Sequence, residues 1–235
     1  MPDDISEFGY MEGLGAFQNA RLRAFWADFA SFIRGKSAEL LSFEEIRARL
    51  RLREENYKGI QDIPLEQVVG SVGRYKDFNA SFLPRKNEMK ERWSRVYAVA
   101  SGMVGLPPIE VYKIDDIYFV RDGNHRVSVA RQMGATHIQA HVTELPTTVD
   151  LFPGMTAEDL DAATAYAAFL DETRLPFTRP HHVPLTLSEA SRYPDLLGHV
   201  YLHRAIMQQR EGKDVTVEEA ASNWYDNVYR PAVTL

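Results

Sequence analysis

Between residues 14 and 34 apolar side chains recur at helical spacing, with Leu22, Phe25, Trp26, Phe29, Phe32 and Ile33 on one face and Gly35 as a C-cap. So broad an apolar face predicts a helix that needs a partner to pack on. Ser42-Phe-Glu-Glu45 has the spacing of a capping box and opens a second helix carrying Arg47, Arg49, Arg51 and Arg53. Glu45 stands four residues before Arg49, and Arg51 four before Glu55, so this spacing favours a solvated, ion-paired face over a nucleic-acid stripe.

From Gly59 the pattern changes. IQDIPLEQVVG reads as a short strand running into a short helix, followed by the basic, glycine-bearing loop SVGRYKDFNASFLP. RKNEMKERWSRVYAVASGM repeats apolar residues at Met89, Trp93, Val96, Ala100 and Met103, which predicts a helix ended by Gly102 or Gly105. PPIEVYK and IYFV flank the turn at Asp115 and Asp116 as a hairpin. In HIQAHVTEL, Ile138, Ala140 and Val142 alternate with polar residues, as in a half-buried strand.

After Pro146 the pattern is helical. One helix begins at Thr156 and runs through Leu160, Tyr166, Phe169 and Leu170, and the loop LPFTRPHHVPL breaks it. DLLGHVYLHRAIMQQREG follows with Gly212 as its cap, and Thr216-Val-Glu-Glu219 opens a last helix running to Pro231. The expected organisation is an N-terminal helical extension (1–57), an α/β (α+β) core (58–146) and a C-terminal helical region (147–235).

The stretch RDGNHRVSVARQMGA, residues 121–135, admits two local readings. Asp122-Gly123 is a hairpin signal, and the following residues alternate polar and apolar. Against that, Val127, Ala130 and Met133 share a helical face that stops at Gly134, with Asn124 or Asp122 as N-cap. In the favoured helical reading, Gly123 lies beside a helix start whose free N–H groups and dipole attract an anion such as phosphate, with His125 and Arg126 as further donors. The alternative is an ordinary capped turn in which Asp122 bonds backbone amides and Arg126 pairs with an acid such as Glu144.

Composition narrows the chemistry. The 235 residues contain no cysteine, which excludes disulfides and thiolate nucleophiles and suits a cytoplasmic protein, the expected location. No apolar run approaches the ~20 residues of a membrane span, so no membrane partner is expected, and MPDDISEF does not read as a signal peptide. A net charge of −6 argues against wide, sequence-independent DNA binding but leaves room for a local basic patch.

PPIEVYKIDDIYFVRDGNHRVSVARQMGATHIQAHVTE resembles the core of the ParB/sulfiredoxin superfamily over about residues 60–145. The resemblance implies a small mixed sheet and a helix after Gly123. In partition proteins of that superfamily the loop reads Gly-Glu-Arg-Arg and contacts nucleotide phosphates; Gly123-Asn124-His125-Arg126 stands in its place, and Gly123 and Arg126 match directly. Sulfiredoxins carry their catalytic cysteine at the position of Asn124, so that activity is excluded here. A histidine before the arginine is similar to the loop of the free-serine kinases.

From this resemblance follow a nucleotide (ATP, ADP or CTP) with Mg²⁺, bound by Asp122, Gly123, Asn124, His125 and Arg126, with Arg74 and Lys76 of the upstream loop meeting phosphates. His125, Glu66 and Asp77 are the candidate catalytic groups for a kinase or nucleotide hydrolase, acting on a small hydroxyl-bearing acceptor. The rival expectation is a DNA-binding regulator with a nucleotide switch, whose basic surface would join Arg47 to Arg53 with Arg74, Lys76 and Lys86. A non-catalytic interaction module and a homodimer are further possibilities. His199 and His203, with His181 and His182, have spacing open to zinc or iron, but no HExxH glutamate is present, and packing is the favoured role; no metal site is expected. Asp115 and Asp116 read as turn residues rather than a Mg²⁺ site, and Trp224, Tyr225 and Tyr229 as core.

Overall fold

The computed structural model describes residues 7–33, 39–74, 76–102, 105–187 and 189–233, without the side chain of Phe32. Gly35 and Met103, used above, lie outside the described residues. The chain divides into two compact units, residues 1–146 with 152–154, and residues 147–151 with 155–235.

The first unit contains, in order, α1 (Glu7–Ile33), β1 (Leu41–Ser42), α2 (Phe43–Arg49), β2 (Asn56–Pro64), β3 (Val68–Ser71), α3 (Lys90–Ala100), β4 (Ile109–Ile114), β5 (Ile117–Asp122), α4 (Asn124–Gln132) and β6 (His137–Glu144). The strands form one sheet in the order β1-β3-β5-β4-β6-β2. β1/β3, β3/β5 and β4/β6 are parallel, while β4/β5 and β2/β6 are antiparallel, so the sheet is mixed. The N-terminal helices belong to this unit, because β1 pairs with β3 and α1 packs along α3.

Alternation along the strands assigns the two faces. Ile109, Val111, Tyr118, Val120, Ala140 and Val142 share one core with Val127 and Val129 of α4, Trp93 of α3 and Phe17 of α1. On the opposite face, Phe43 of α2 stacks on Tyr112 at 4.3 Å and 7° and tilts against Phe119. The indole Nε1 of Trp93 donates to Ser128 Oγ at 2.9 Å, tying α3 to α4 inside the core.

Three local expectations change. IQDIPLEQVVG does not run into a helix: β2 is followed by a single 3-10 turn at Leu65–Gln67 and then by β3. Val68 and Val69 are β-branched, and pairing of β3 with β5 gives them a better place than a one-turn helix. In α1 it is Gly13, Phe17, Ala20 and Ala24 that are buried, while Leu22, Phe25, Trp26, Phe29 and Ile33 stay exposed. Close approach explains the choice, since a Cβ on Gly13 would sit 2.8 Å from the Ser94 carbonyl oxygen of α3. Finally, α2 ends at Arg49, Arg51 turns at φ 53, and Glu55 pairs with Arg47 at 2.9 Å, while the Glu45–Arg49 pair forms as its spacing indicates.

The second unit is helical: α5 (Ala157–Thr173), α6 (Leu175–Thr178), α7 (Tyr193–Glu211), α8 (Val217–Trp224), a π-helical turn at Tyr225–Tyr229 and α9 (Arg230–Val233). Thr156 with Asp159, and Thr216 with Glu219, form complete capping boxes, and Gly212 ends α7 at φ 65. The chain continues helically through Pro231 instead of stopping there; the π turn shifts the ladder so that the Arg230 N–H reaches Tyr225 O just before the residue that has no N–H. Trp224 and Tyr225 are buried, with Trp224 edge-on to Phe169. Among the described residues no helix is long and apolar enough to cross a membrane.

Candidate anion site at the start of helix α4

β5 ends at Asp122, and the chain must reverse over the sheet at once. Gly123 does this at φ 110, ψ 19, and a Cβ there would lie 2.5 Å from Cγ2 and 2.9 Å from Cβ of Ile109. Both conformation and space therefore demand glycine. Gly123 is itself the N-cap, in place of the expected Asn124 or Asp122, and makes no side-chain capping bond. The carboxylate of Asp122 is taken by the guanidinium of Arg126 instead.

Asn124 and His125, the first two residues of α4, are each only 6% exposed. Asn124 Oδ1 and His125 Nδ1 are buried without a hydrogen-bond partner among the described residues. Leaving such atoms unpaired costs about 1–3 kcal/mol each, so the arrangement has unused bonding capacity at a helix start that already favours negative charge. The carboxamide can be turned end for end within the same envelope, so the Asn124 position offers either a donor or an acceptor.

The His125 ring lies edge-on to Phe78, with centroids 5.5 Å apart. Burial is the main cause pushing its pKa down to about 4, and the positive charges of Arg92 and Arg74 push the same way against the opposing Asp77. At neutral pH the ring is thus uncharged, a hydrogen-bonding group rather than a cation, and a weak base.

The remaining predicted residues divide. Arg126 Nη1 donates to the carbonyls of Pro107 (3.1 Å) and Pro108 (2.5 Å) and Nη2 to Asp122, so this side chain fastens the approach to β4 onto the α4 loop. Glu144, considered above as its partner, instead accepts Lys58 at 2.9 Å and Lys113 at 3.6 Å. Arg74 and Asp77 are close enough to act on His125, and Asp77 is held by Lys86 at 2.6 Å and by Arg74 at 3.8 Å. Lys76 is exposed on the same loop.

Glu66 is not brought to this group. It is exposed on the 3-10 turn whose Leu65 carbonyl is bonded by Arg131, and Arg131 lies six residues beyond His125, about 9 Å along α4. Arg92, absent from the sequence candidates, joins the group from α3; it has no local signature, because only the packing of α3 on α4 brings it near His125.

In the second unit, His182 sits between Arg179 O (2.9 Å) and the Tyr166 hydroxyl (3.2 Å), and His203 Nε2 lies 2.8 Å from Asn223 Oδ1. His181 and His199 are exposed, and among the described residues no three metal-binding side chains gather.

No family model and no curated protein matches the chain. Among solved structures it is similar to sulfiredoxin from Arabidopsis thaliana, with 23% identity over 37% of this chain and 86% of that one and a TM-score of 0.26.

Proposed function

We propose that the first turn of α4 binds a phosphoryl group, and that this group belongs to a nucleotide: ATP, ADP or CTP. The observation that carries the reading is the pair of buried, unpartnered atoms, Asn124 Oδ1 and His125 Nδ1, at a helix start with no side-chain cap. A phosphate there would accept from backbone amides and from the His125 N–H, and the charges of Arg74 and Arg92 would favour it further. Arg126 serves in this reading as a positioning residue that holds the loop.

Mg²⁺ would be carried mainly by the nucleotide's own phosphates, since the nearby carboxylates Asp77 and Asp122 are already occupied by cations. The activity best suited to such a site is phosphoryl transfer to a small hydroxyl-bearing acceptor, in which positioning and charge neutralisation do most of the catalysis. In this reading Asp77, which is ion-paired with Lys86 and Arg74, would receive the acceptor's proton.

Calorimetry of ATP, ADP and CTP, each with Mg²⁺, tests the binding claim on the wild type and on Asn124→Ala with His125→Ala. Affinity is expected to fall at least about tenfold in the double variant, the equivalent of two lost hydrogen bonds. Equal affinity for both proteins refutes the assignment. Transfer to free serine or another small alcohol, followed by phosphorus NMR, separates a kinase from a nucleotide-binding module.

A further inference from the structure

On the sheet face opposite α4, residues of α2, the segment after it and the strand ends enclose an open groove of about 570 Å³. Phe43, Arg47, Arg51, Arg53, Tyr112 and Arg121 line it, and Glu44 is the only acid among its lining residues. In a chain of net charge −6 this is a local excess of guanidinium groups that the protein's overall balance does not explain.

The arginines are held by the aromatic pair. Arg47 lies over the Phe43 ring and Arg121 over the Tyr112 ring, each with its guanidinium carbon 5.8 Å from the centroid. Phe43 and Tyr112 are in turn stacked on one another, and Phe43 is buried. A guanidinium resting on a ring keeps its in-plane N–H groups for other partners, so the stack orders donors; of these, Arg47 Nε donates to the Leu52 carbonyl at 3.3 Å.

Part of this charge is compensated: Glu55 pairs with Arg47 at 2.9 Å and Glu110 with Arg121 at 3.7 Å. Their side chains are 37% and 50% exposed. Such surface pairs contribute about 0–1 kcal/mol, so a ligand with two negative groups can displace them at little cost. Arg53 is exposed and makes no ion pair among the described residues.

We infer that this groove is a second binding site, for a small molecule carrying two or more phosphoryl or carboxylate groups. Its size matches the few hundred Å³ of ordinary small-ligand sites, and the acids beside its arginines, Glu44, Glu55 and Glu110, together with the chain's net charge of −6, disfavour a long polyanion such as a DNA duplex. Bidentate guanidinium contacts favour phosphoryl and carboxylate groups over halides and neutral ligands.

Inorganic tripolyphosphate is the probe, in calorimetry with the full chain. The wild type is expected to take up tripolyphosphate at two classes of site. Arg53→Gln with Arg121→Gln is expected to remove one class and leave the other, whereas Asn124→Ala with His125→Ala removes the complementary class. Both arginines are exposed, and circular dichroism melts of the variant serve as the control that the fold is intact. A groove variant that keeps the wild-type stoichiometry and affinity overturns the inference, as does a wild type that binds no tripolyphosphate. Loss confined to the Asn124/His125 variant overturns it while supporting the α4 site. Binding of a short duplex through these arginines without tripolyphosphate binding also overturns it, in favour of a nucleic-acid surface.

Discussion

At the scale of the residue, Gly123 and His125 define what the α4 start can do. Gly123 combines φ 110 with a Cβ position already filled by Ile109, so Gly123→Ala is expected to cost about 2–4 kcal/mol in urea unfolding. A loss within about 0.5 kcal/mol would show that the loop is free to relax. His125 makes stability depend on pH with a definite sign. Its folded pKa of about 4 lies below the ordinary 6.5, so between these values the unfolded chain binds a proton that the folded chain does not. Stability is therefore fully present above pH 6.5 and falls as pH drops toward 4, by an amount on the order of 3 kcal/mol. His125→Phe should flatten this part of the profile, and an unchanged slope would assign the pH dependence to other groups. The sequence marks His125 as a candidate but gives no sign of its neutrality, because burial against Phe78 and the approach of Arg92 arise only from packing.

At the scale of the element, α1 and α4 show where periodicity informs and where it misleads. The spacing that predicts a helix for α1 is correct, yet the face with the most hydrophobic residues is not the face that packs. Packing onto the core selects Phe17, which meets Trp93 of α3, together with the small residues Gly13, Ala20 and Ala24, and a count of apolar residues cannot see that requirement. Ala20→Leu, at a site with no exposure, is thus expected to cost about 1–3 kcal/mol, whereas Trp26→Gln, at 58% exposure, should stay within about 0.5 kcal/mol. Melting temperatures of the two variants check the order, and its reversal would contradict the packing described. For α4 the helix and its stop near Gly134 were readable from Val127, Ala130 and Met133, while the cap was not. Its C-terminal half is fixed by Arg131, which donates to the Leu65 and Val68 carbonyls across sequence separations that no local pattern reveals. Burial pushes the pKa of Arg131 down to about 10. Arg131→Met is expected to destabilise by about 2–4 kcal/mol, because those carbonyls would lose their partner.

At the scale of the whole molecule, the mixed α/β architecture followed from the order of strand and helix patterns, but the sheet's breadth did not. β1 is two residues long, and β3 reads as the end of a helix until its pairing with β5 is known. The position of Glu66 was hidden for the same reason: the 3-10 turn that replaces a helix carries it beside Leu65, whose carbonyl is bonded by Arg131 of α4. All residues of the α4 site and of the arginine groove lie in the first unit, so a fragment of residues 1–154 should unfold cooperatively and retain ligand binding. A fragment that folds but binds nothing would place a needed group in the helical unit. The most direct test of the central claim is an NMR pH titration of the His125 imidazole with and without saturating Mg²⁺ and ATP or CTP. A phosphate beside the ring should raise its titration midpoint from about 4 toward the ordinary imidazole value and move its resonances. A midpoint and chemical shifts unchanged by either nucleotide would contradict a phosphate site at the start of α4.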